Sequence, residues 1–273
     1  MSTPPGTLDF QAITQKQQAV WAAGDFHVVG RQVLQVSEDL VRAADPPAGA
    51  DVLDVACGSG NAALIAARRY CNVSGLDYVP HLIEHANLRA ASEGTKIDFR
   101  VGDAQALPYA DASFDYVMSV FGVMFAPDRD KAAAELLRVC KPGGTIALAN
   151  WTPEGLTGEF FAVQSRYVPP PAGVQPPTKW GTEALLQQIL GPGTTEIRTE
   201  RRMSHWYYLS PEHALEVFRN YFGPTHRAFE VLDTAGQEAM ARDLLEIYAK
   251  NNKAKDGTVH LECEYLQVLA RRK

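Results

Sequence analysis

The stretch that most constrains the fold of this chain is Asp51–Asn61, which reads DVLDVACGSGN. A short apolar run ends in an acid, a Gly-Ser-Gly turn follows, and an alanine-rich helical segment comes next. A strand that leads through a glycine turn into a helix N-terminus is how α/β proteins hold a nucleotide-like ligand. Asp54 lies near the strand tip, where a carboxylate would repel a pyrophosphate and attract an ammonium or a sulfonium. The segment therefore predicts an α/β fold that binds a cationic ligand.

The first 150 residues alternate between strand-like and helix-like patterns. The predicted strands are Asp51–Ala56, Asn72–Leu76, Ile97–Val101, Phe114–Val120 and Thr145–Ala149. The predicted helices are Phe10–Ala23, Gln32–Ala44, Asn61–Tyr70, Pro80–Ser92 and Asp128–Val139. Strands separated by helices of about a dozen residues predict a parallel, doubly wound sheet.

The pattern changes after residue 151. Gly155–Pro177 is rich in proline and glycine, which predicts an irregular surface loop and a candidate lid. The later segments predict helices at Thr182–Leu190, Pro211–Phe222 and Ala235–Ala249, and strands within Thr195–Leu209 and at Glu264–Ala270. We therefore expect a single domain over residues 1–273. Its parts would be N-terminal cap helices (10–45), a cofactor-binding core (46–150) and a substrate side with a helical insert (151–273).

Composition and charge exclude several function classes. The formal net charge of −6 disfavours nucleic acid, since binding to phosphates depends on Lys and Arg. No apolar run is long enough to span a bilayer, and the N-terminus lacks the basic and apolar regions of a signal peptide. These features predict a cytoplasmic protein without a membrane partner, preceded by a loose tail at Met1–Asp9. The four cysteines form no close pair, so no metal site is expected.

Three acids separate the possible ligands of the glycine turn. The run GSGNAA (58–63) also satisfies the loose dinucleotide pattern, so a nicotinamide oxidoreductase stays open on the glycines alone. Asp77 ends the second strand, where a carboxylate can accept bonds from both ribose hydroxyls, worth about 1.5–3 kcal/mol each. Asp103 follows the third strand and can accept a bond from the exocyclic amine of adenine. A plain turn aspartate is the alternative for Asp103.

Four segments together carry a family resemblance. They are VLDVACGSGN (52–61), VSGLDYVPHLIEHA (73–86), RVGDAQALPYADASFDYVMS (100–119) and ELLRVCKPGG (135–144). With these motifs in this order, the chain resembles the class I S-adenosylmethionine-dependent methyltransferases, close to the ubiquinone/menaquinone-type small-molecule methylases. The resemblance implies a Rossmann-like sheet of seven strands whose last strand is antiparallel.

The resemblance also implies a cofactor, S-adenosyl-L-methionine, with S-adenosyl-L-homocysteine as product. In the family, the glycine turn admits the methionine part, and the acids of the first two strands hold the charged group and the ribose. The residues after the third strand contact the adenine, and those ending the fourth strand lie beside the cofactor. The implied cofactor-binding residues are Asp54, Ala56, Gly58, Gly60, Asp77, Tyr78, Asp103, Ala104, Ser119 and Val120.

The methyl acceptor is less constrained by the sequence. Transfer from a sulfonium is an in-line displacement, so orientation of the acceptor can supply about 7–11 kcal/mol. A general base is needed only if the acceptor enters protonated. Our candidate base is His27, because the N-terminal region often closes over the cofactor in this family. The candidate pocket residues, with core packing as the alternative for each, are Trp21, Phe121, Phe125, Trp151, Trp180 and Trp206.

Aromatic residues in such a pocket favour a small, flat or apolar metabolite as the partner of this chain. Methylation of nucleic acid is disfavoured, because the segment after strand four reads Ser119-Val120-Phe121-Gly122 and no Pro-Cys pair occurs. A second hypothesis is a non-catalytic protein that binds S-adenosylmethionine as a regulator or partner subunit. The sequence does not indicate the number of subunits.

Overall fold

The computed structural model of this chain describes residues 8–273, so most of the expected tail lies outside the described residues. The strands are β1 (Asp51–Val55), β2 (Asn72–Asp77), β3 (Asp98–Val101), β4 (Phe114–Val120), β5 (Cys140–Trp151), β6 (Thr194–Tyr208) and β7 (Val259–Arg272). The first helices are α1 (Phe10–Ala22), α2 (Phe26–Gly30), α3 (Leu34–Ala44), α4 (Asn61–Arg68), α5 (Pro80–Ser92) and α6 (Arg129–Val139). The later helices are α7 (Leu156–Tyr167), α8 (Glu183–Ile189), α9 (Pro211–Tyr221), α10 (Gly223–Val231) and α11 (Thr234–Asn251).

The seven strands form one sheet in the order β3-β2-β1-β4-β5-β7-β6. The contacts among β1 to β5 are parallel, whereas β7 runs antiparallel to both of its neighbours. The predicted fold class, a doubly wound sheet with an antiparallel last strand, is therefore confirmed. The chain turns back between β1 and β4, and in such sheets ligands bind outside the carboxyl ends of the strands at this switch point.

The centre of the sheet is covered on both faces, and this explains the sequence of β1. Val52, Leu53 and Val55 are fully buried, as expected for a parallel strand with helices on both sides. Leu40 of α3 and Ala63 of α4 are also fully buried in this core. Burial of this continuous apolar run fixes the position of the turn that follows it.

The glycine turn after β1 needs left-handed backbone. Ala56, Gly58 and Gly60 have φ values of 53°, 54° and 82°. A side chain at Gly60 would place Cβ 2.8 Å from the Phe99 ring, so this glycine permits the turn to pack closely on β3. The turn leads directly into the first residue of α4.

One region differs from the sequence prediction. The irregular loop predicted over Gly155–Pro177 is wrong in its first half, because Leu156–Tyr167 forms α7. Leu156, Phe160 and Val163 are buried at the spacing of one helix face. The prolines that suggested a loop lie beyond the end of this helix.

The predicted helical insert before the last strand is present between β6 and β7. It contains α9 and α11 as expected, together with α10, which the sequence analysis missed. Gly223 begins α10 in close contact with the end of α1, and a Cβ there would collide with the carbonyl of Val20. Across residues 8–273, no helix has both the length and the apolar character needed to cross a bilayer.

Candidate functional site

A cleft opens at the carboxyl ends of β1, β2, β3 and β4. Asp54, Asp77 and Asp103 all line it, so three strands bring the three predicted acids to one site. Of the other predicted cofactor residues, the cleft is lined by Ala56, Gly58, Tyr78, Ala104 and Val120. Most of the set predicted from the sequence therefore lies around one cavity.

Asp77 is buried and bonded to the turn. One carboxylate oxygen accepts a hydrogen bond from the N–H of Gly58 at 2.9 Å, and the other accepts one from the N–H of Val79 at 2.9 Å. Burial raises the pKa of Asp77 to about 6, against the effect of these bonds. A carboxylate has about four acceptor positions, so two remain for the hydroxyls of a ligand.

Asp54 is the most deeply buried of the three acids, with 2% of its surface exposed. Its Oδ2 accepts a hydrogen bond from the N–H of Ala63 in the first turn of α4, at 2.9 Å. Burial, with a smaller contribution from the charge of Asp77, raises the pKa of Asp54 to about 7. A cation beside these carboxyls would favour their ionised forms. The electrostatics of the cleft therefore favour a positively charged ligand.

Asp103 is positioned by a buried glutamine. Its Oδ1 accepts a hydrogen bond from the N–H of Gln105 at 2.9 Å. Asp103 therefore also stabilises a local turn, which was the alternative role considered for it. The Gln105 amide donates to the Thr14 hydroxyl of α1 at 2.8 Å and accepts from the N–H of Asp128 at 2.8 Å. Gln105 thus connects the third acid to the N-terminal helices. The motif GDAQ carries no signal specific to this role, so the role of Gln105 could not be predicted from the sequence.

Two predicted cofactor residues do not line the cleft. Ser119 is fully buried; its hydroxyl donates to the carbonyl of Val55 at 2.7 Å and accepts from the N–H of Val123 at 2.9 Å. These bonds join the ends of β1 and β4 and occupy the hydroxyl, so Ser119 is not brought to a ligand. Gly60 is occupied in packing against Phe99. Both residues therefore position the backbone of the site without lining the cleft.

A second, smaller cavity, here called the aromatic chamber, lies beside the cleft. Five of the six predicted pocket residues line it, namely Trp21, Phe121, Phe125, Trp151 and Trp206. Phe121 lies flat on Trp151, with ring centroids 3.4 Å apart and ring planes 5° apart. Trp21, Phe121 and Phe125 line both the chamber and the cleft. The two cavities therefore share an aromatic wall.

Other residues of the aromatic chamber were missed by the sequence analysis. They lie on α2, on the 3-10 turn before α3, on α7 and in the helical insert. These residues are Phe26, Val29, Val33, Thr157, Phe160, Phe161, Phe218 and Phe222. The contribution of α7 to the chamber was not expected, because this segment was predicted to be an irregular loop. Among the residues that the structure shows around this chamber, none carries a titratable side chain. The Thr157 hydroxyl is buried and has no hydrogen-bond partner.

Trp180, the sixth predicted pocket residue, lies elsewhere. It is 2% exposed, within the 3-10 turn Pro177–Gly181, and borders a different cavity with Met124 and Pro127. A Cβ on Gly181 would collide with the carbonyl of Trp151, so this turn packs closely against β5. Trp180 therefore serves in packing, the alternative weighed for each of these aromatic residues.

The candidate base His27 lines neither cavity. Its ring stacks on His85 of α5, with centroids 4.8 Å apart and ring planes 10° apart. Burial and then the charge of His85 lower the pKa of His27. Its neighbour Phe26 lines both cavities instead, since successive residues of a helix point about 100° apart. The structure thus gives no support to His27 as a base.

Comparison with known proteins places this site in context. The model of a methyltransferase domain matches residues 53–148. An uncharacterised protein of Mycobacterium tuberculosis is 38% identical over 268 residues, which cover 96% of each chain. A demethylmenaquinone methyltransferase of Deinococcus radiodurans is 39% identical over 126 residues, covering 45% of this chain and 52% of that protein.

A solved structure shows a similar fold. It is a phosphoethanolamine N-methyltransferase of Haemonchus contortus in complex with S-adenosyl-L-methionine. The TM-score is 0.57 at 18% identity, and the match covers 99% of this chain and 61% of that one.

Proposed function

Because this chain belongs to the class I S-adenosylmethionine-dependent methyltransferases, we propose that it methylates a small, flat or apolar metabolite bound in the aromatic chamber. The observation that carries the proposal is the wall shared by the two cavities. Trp21, Phe121 and Phe125 border both the acid-lined cleft and the chamber. A molecule in the chamber would therefore lie next to a ligand in the cleft.

The cofactor of this family fits the residues of the cleft. S-adenosyl-L-methionine carries positive charge, and the buried carboxyls of Asp54 and Asp77 would stabilise it. Gly58 has φ of 54°, and a Cβ there would meet only Phe26, at 3.5 Å, so the glycine leaves room for a ligand. A dinucleotide would bring a pyrophosphate close to these same carboxyls. The charge of the cleft therefore disfavours the nicotinamide alternative.

The reactive group comes with the cofactor, whose sulfonium makes its methyl group electrophilic. The protein then has to position two ligands and exclude water. Asp77 and Asp103 would hold the nucleoside, and Asp54 would lie near the charged end. The shared aromatic wall would orient the acceptor, for which positioning can supply about 7–11 kcal/mol.

The lack of titratable groups around the described chamber bears on the acceptor. A base is required only when the attacking atom is protonated in the bound state. We therefore infer an acceptor whose attacking atom has a free lone pair at neutral pH and does not have to lose a proton before it attacks. In this arrangement, residues 10–45 act as a cap over the two cavities, and residues 151–273 supply the acceptor side.

The proposal is tested by turnover. Purified protein with S-adenosyl-L-methionine is offered aromatic amines and aromatic nitrogen heterocycles, whose attacking nitrogen is unprotonated at neutral pH, and separately sugars and amino acids, while S-adenosyl-L-homocysteine is quantified. We expect turnover only with the aromatic and apolar set. Turnover with hydrophilic compounds alone would contradict the acceptor class. Tight binding without turnover in any set would favour the non-catalytic alternative, and a larger thermal shift with NADH than with S-adenosyl-L-homocysteine would contradict the cofactor.

A further inference from the structure

A second group of ligand-type side chains lies on the ribbon formed by β6 and β7. His205, His260 and Glu262 each offer one ligand atom, and these atoms all lie within 4.8 Å of one another. The Nδ1 of His205 and the Nε2 of His260 are 3.1 Å apart. None of these residues lines the cleft or the aromatic chamber.

Strand pairing creates this group from residues distant in sequence. His205 lies directly opposite Glu262 in the antiparallel register, and His260 lies opposite Tyr207. Because side chains alternate along a strand, these residues share one face of the ribbon. Trp206, between the two β6 positions, points to the other face, where it lines the aromatic chamber. The group is therefore on the opposite side of the ribbon from the acceptor site.

The geometry points to a metal site: we propose that His205, His260 and Glu262 bind a divalent transition-metal ion of the zinc type. Zinc bonds to imidazole nitrogen at about 2.0–2.1 Å, so nitrogens 3.1 Å apart would subtend an angle of about 98° at the metal, close to the tetrahedral value. Two imidazoles and one carboxylate are a known zinc ligand set, with water in the fourth position. Glu262 offers the third ligand, with a carboxylate oxygen within 4.8 Å of both imidazole nitrogens.

The surroundings hold His260 in place. The Oδ1 of Asn252 accepts a hydrogen bond from the N–H of His260 at 2.9 Å, and the N–H of Lys253 donates to the carbonyl of His260 at 2.9 Å. The ring of Tyr207 stacks on the imidazole of His260, with centroids 4.6 Å apart. These contacts already restrict the conformations of His260, so its side chain would lose less conformational entropy on binding a metal.

One group competes with the metal. The Nζ of Lys253 lies 3.6 Å from a carboxylate oxygen of Glu262. A bound metal ion would replace the ammonium group of Lys253 beside this carboxylate. His205 lies on β6, whereas His260 and Glu262 lie on β7, so the metal would join these two strands and release Lys253 from Glu262. The earlier expectation of no metal site rested on cysteine spacing and did not consider these histidines.

The test uses untagged full-length protein and Zn²⁺ as the probe, titrated by calorimetry in excess Mg²⁺. We expect one saturable site. His205→Ala and His260→Ala should each weaken it at least tenfold, since even outer-shell changes at metal sites cost about 10–100-fold. Lys253→Met should tighten it, because the competing cation is removed. The visible spectrum of bound Co²⁺ should indicate four-coordination.

The matched control is His226→Ala, which removes another surface histidine that lies 3.3 Å from a glutamate. It should leave the Zn²⁺ affinity unchanged. Circular dichroism verifies that each variant is folded. Absence of saturable Zn²⁺ binding, or equal affinity in wild type and the two alanine variants, would overturn the proposal.

Discussion

The carboxylate of Asp77 accepts a hydrogen bond from the backbone N–H of Gly58 at 2.9 Å, so the acid that ends β2 holds the turn that follows β1. Asp77 is 5% exposed, not free at a strand end. The residue proposed to bind the ribose therefore also shapes the glycine turn. A substitution that keeps its size is needed to separate the two roles.

Asp77→Asn should weaken the binding of S-adenosyl-L-homocysteine at least tenfold. The amide keeps the shape of the side chain but loses the charge and half of the acceptor capacity, and one charge-assisted bond is worth about 1.5–3 kcal/mol. Isothermal calorimetry measures the loss. Asp98→Asn, on the exposed end of β3 where Asp98 pairs with Arg100, is the control and should bind normally. Equal affinities for the two variants would contradict the ribose assignment.

The stability of the free protein should depend on pH through Asp54 and Asp77. Their pKa values rise from 3.8 to about 7 and about 6 on folding. Between pH 4 and these values the folded protein binds more protons than the unfolded chain, so its free energy of unfolding falls as the pH rises. Asp54→Asn removes the larger part of this effect. Urea denaturation from pH 5 to 8 should therefore show that the free energy of unfolding depends less steeply on pH in the variant than in the wild type. Equal pH dependence in the two proteins would contradict the raised pKa of Asp54.

The same carboxyls predict the opposite trend for cofactor binding. A cation binds best when Asp54 and Asp77 are ionised, so affinity for S-adenosyl-L-methionine should rise as the pH passes through 6 to 7. Calorimetry in buffers of different ionisation enthalpy should detect proton release on binding within this window. An affinity that is independent of pH would show that the two acids are already ionised in the free cleft.

The cofactor side of this protein could be predicted from sequence because its signals are local. The strand, turn and acid of Asp51–Gly60 are contiguous, and Pro80–Ser92 is bounded by its own proline and glycine, so the structure reproduces them closely. The acceptor side depends on contacts between distant segments. Phe160 and Phe222 meet at 6.2 Å only after α7 and the insert have packed together. A difference of one residue on α2 decides that Phe26 lines the cleft and His27 does not, and no sequence pattern indicates that difference.

Trp206→Phe should raise the KM for the acceptor about fivefold and leave cofactor affinity unchanged. Trp206 lines the chamber beside Trp151, with ring centroids 5.5 Å apart, and the loss of one aromatic contact with the acceptor would cost about 1 kcal/mol. Tyr207→Phe is the control, because Tyr207 is 60% exposed on the other face of the same strand. An unchanged KM in the Trp206 variant would place the acceptor outside the chamber.

Thr157→Val should stabilise the free protein by about 1 kcal/mol, because it replaces a buried hydroxyl that has no partner with an apolar group of similar shape. The same change should raise the acceptor KM by about 2–10-fold if the hydroxyl bonds to the acceptor. Urea denaturation and steady-state kinetics measure the two effects. Thr199→Val, which removes a hydroxyl that donates to Glu183 at 2.8 Å, should not stabilise the protein. A destabilised Thr157 variant would reveal a partner for this hydroxyl.

Gly24→Ala should separate the N-terminal helices from the insert. A Cβ on Gly24 would collide with the carbonyl of Tyr221 and lie 2.5 Å from the N of Gly223, and backbone atoms cannot move aside as a side chain can. We expect a loss of about 1–3 kcal/mol in the free energy of unfolding. The acceptor KM should also rise, since Trp21 and Phe222, whose ring centroids are 5.2 Å apart, would be pushed apart. Denaturation and kinetics measure both effects, with Gly191→Ala as the control.

At Gly191 the neighbouring atom is the end of the Gln187 side chain, 3.2 Å from the added Cβ, which can rotate away. This control should stay within about 0.5 kcal/mol of wild type and keep its KM. If Gly24→Ala lost stability but kept the wild-type KM, the contact between the N-terminal helices and the insert would hold the fold without shaping the acceptor site. The chamber would then have to be closed by α7, the insert and the sheet without the N-terminal helices, and the proposed role of residues 10–45 as a cap would be wrong.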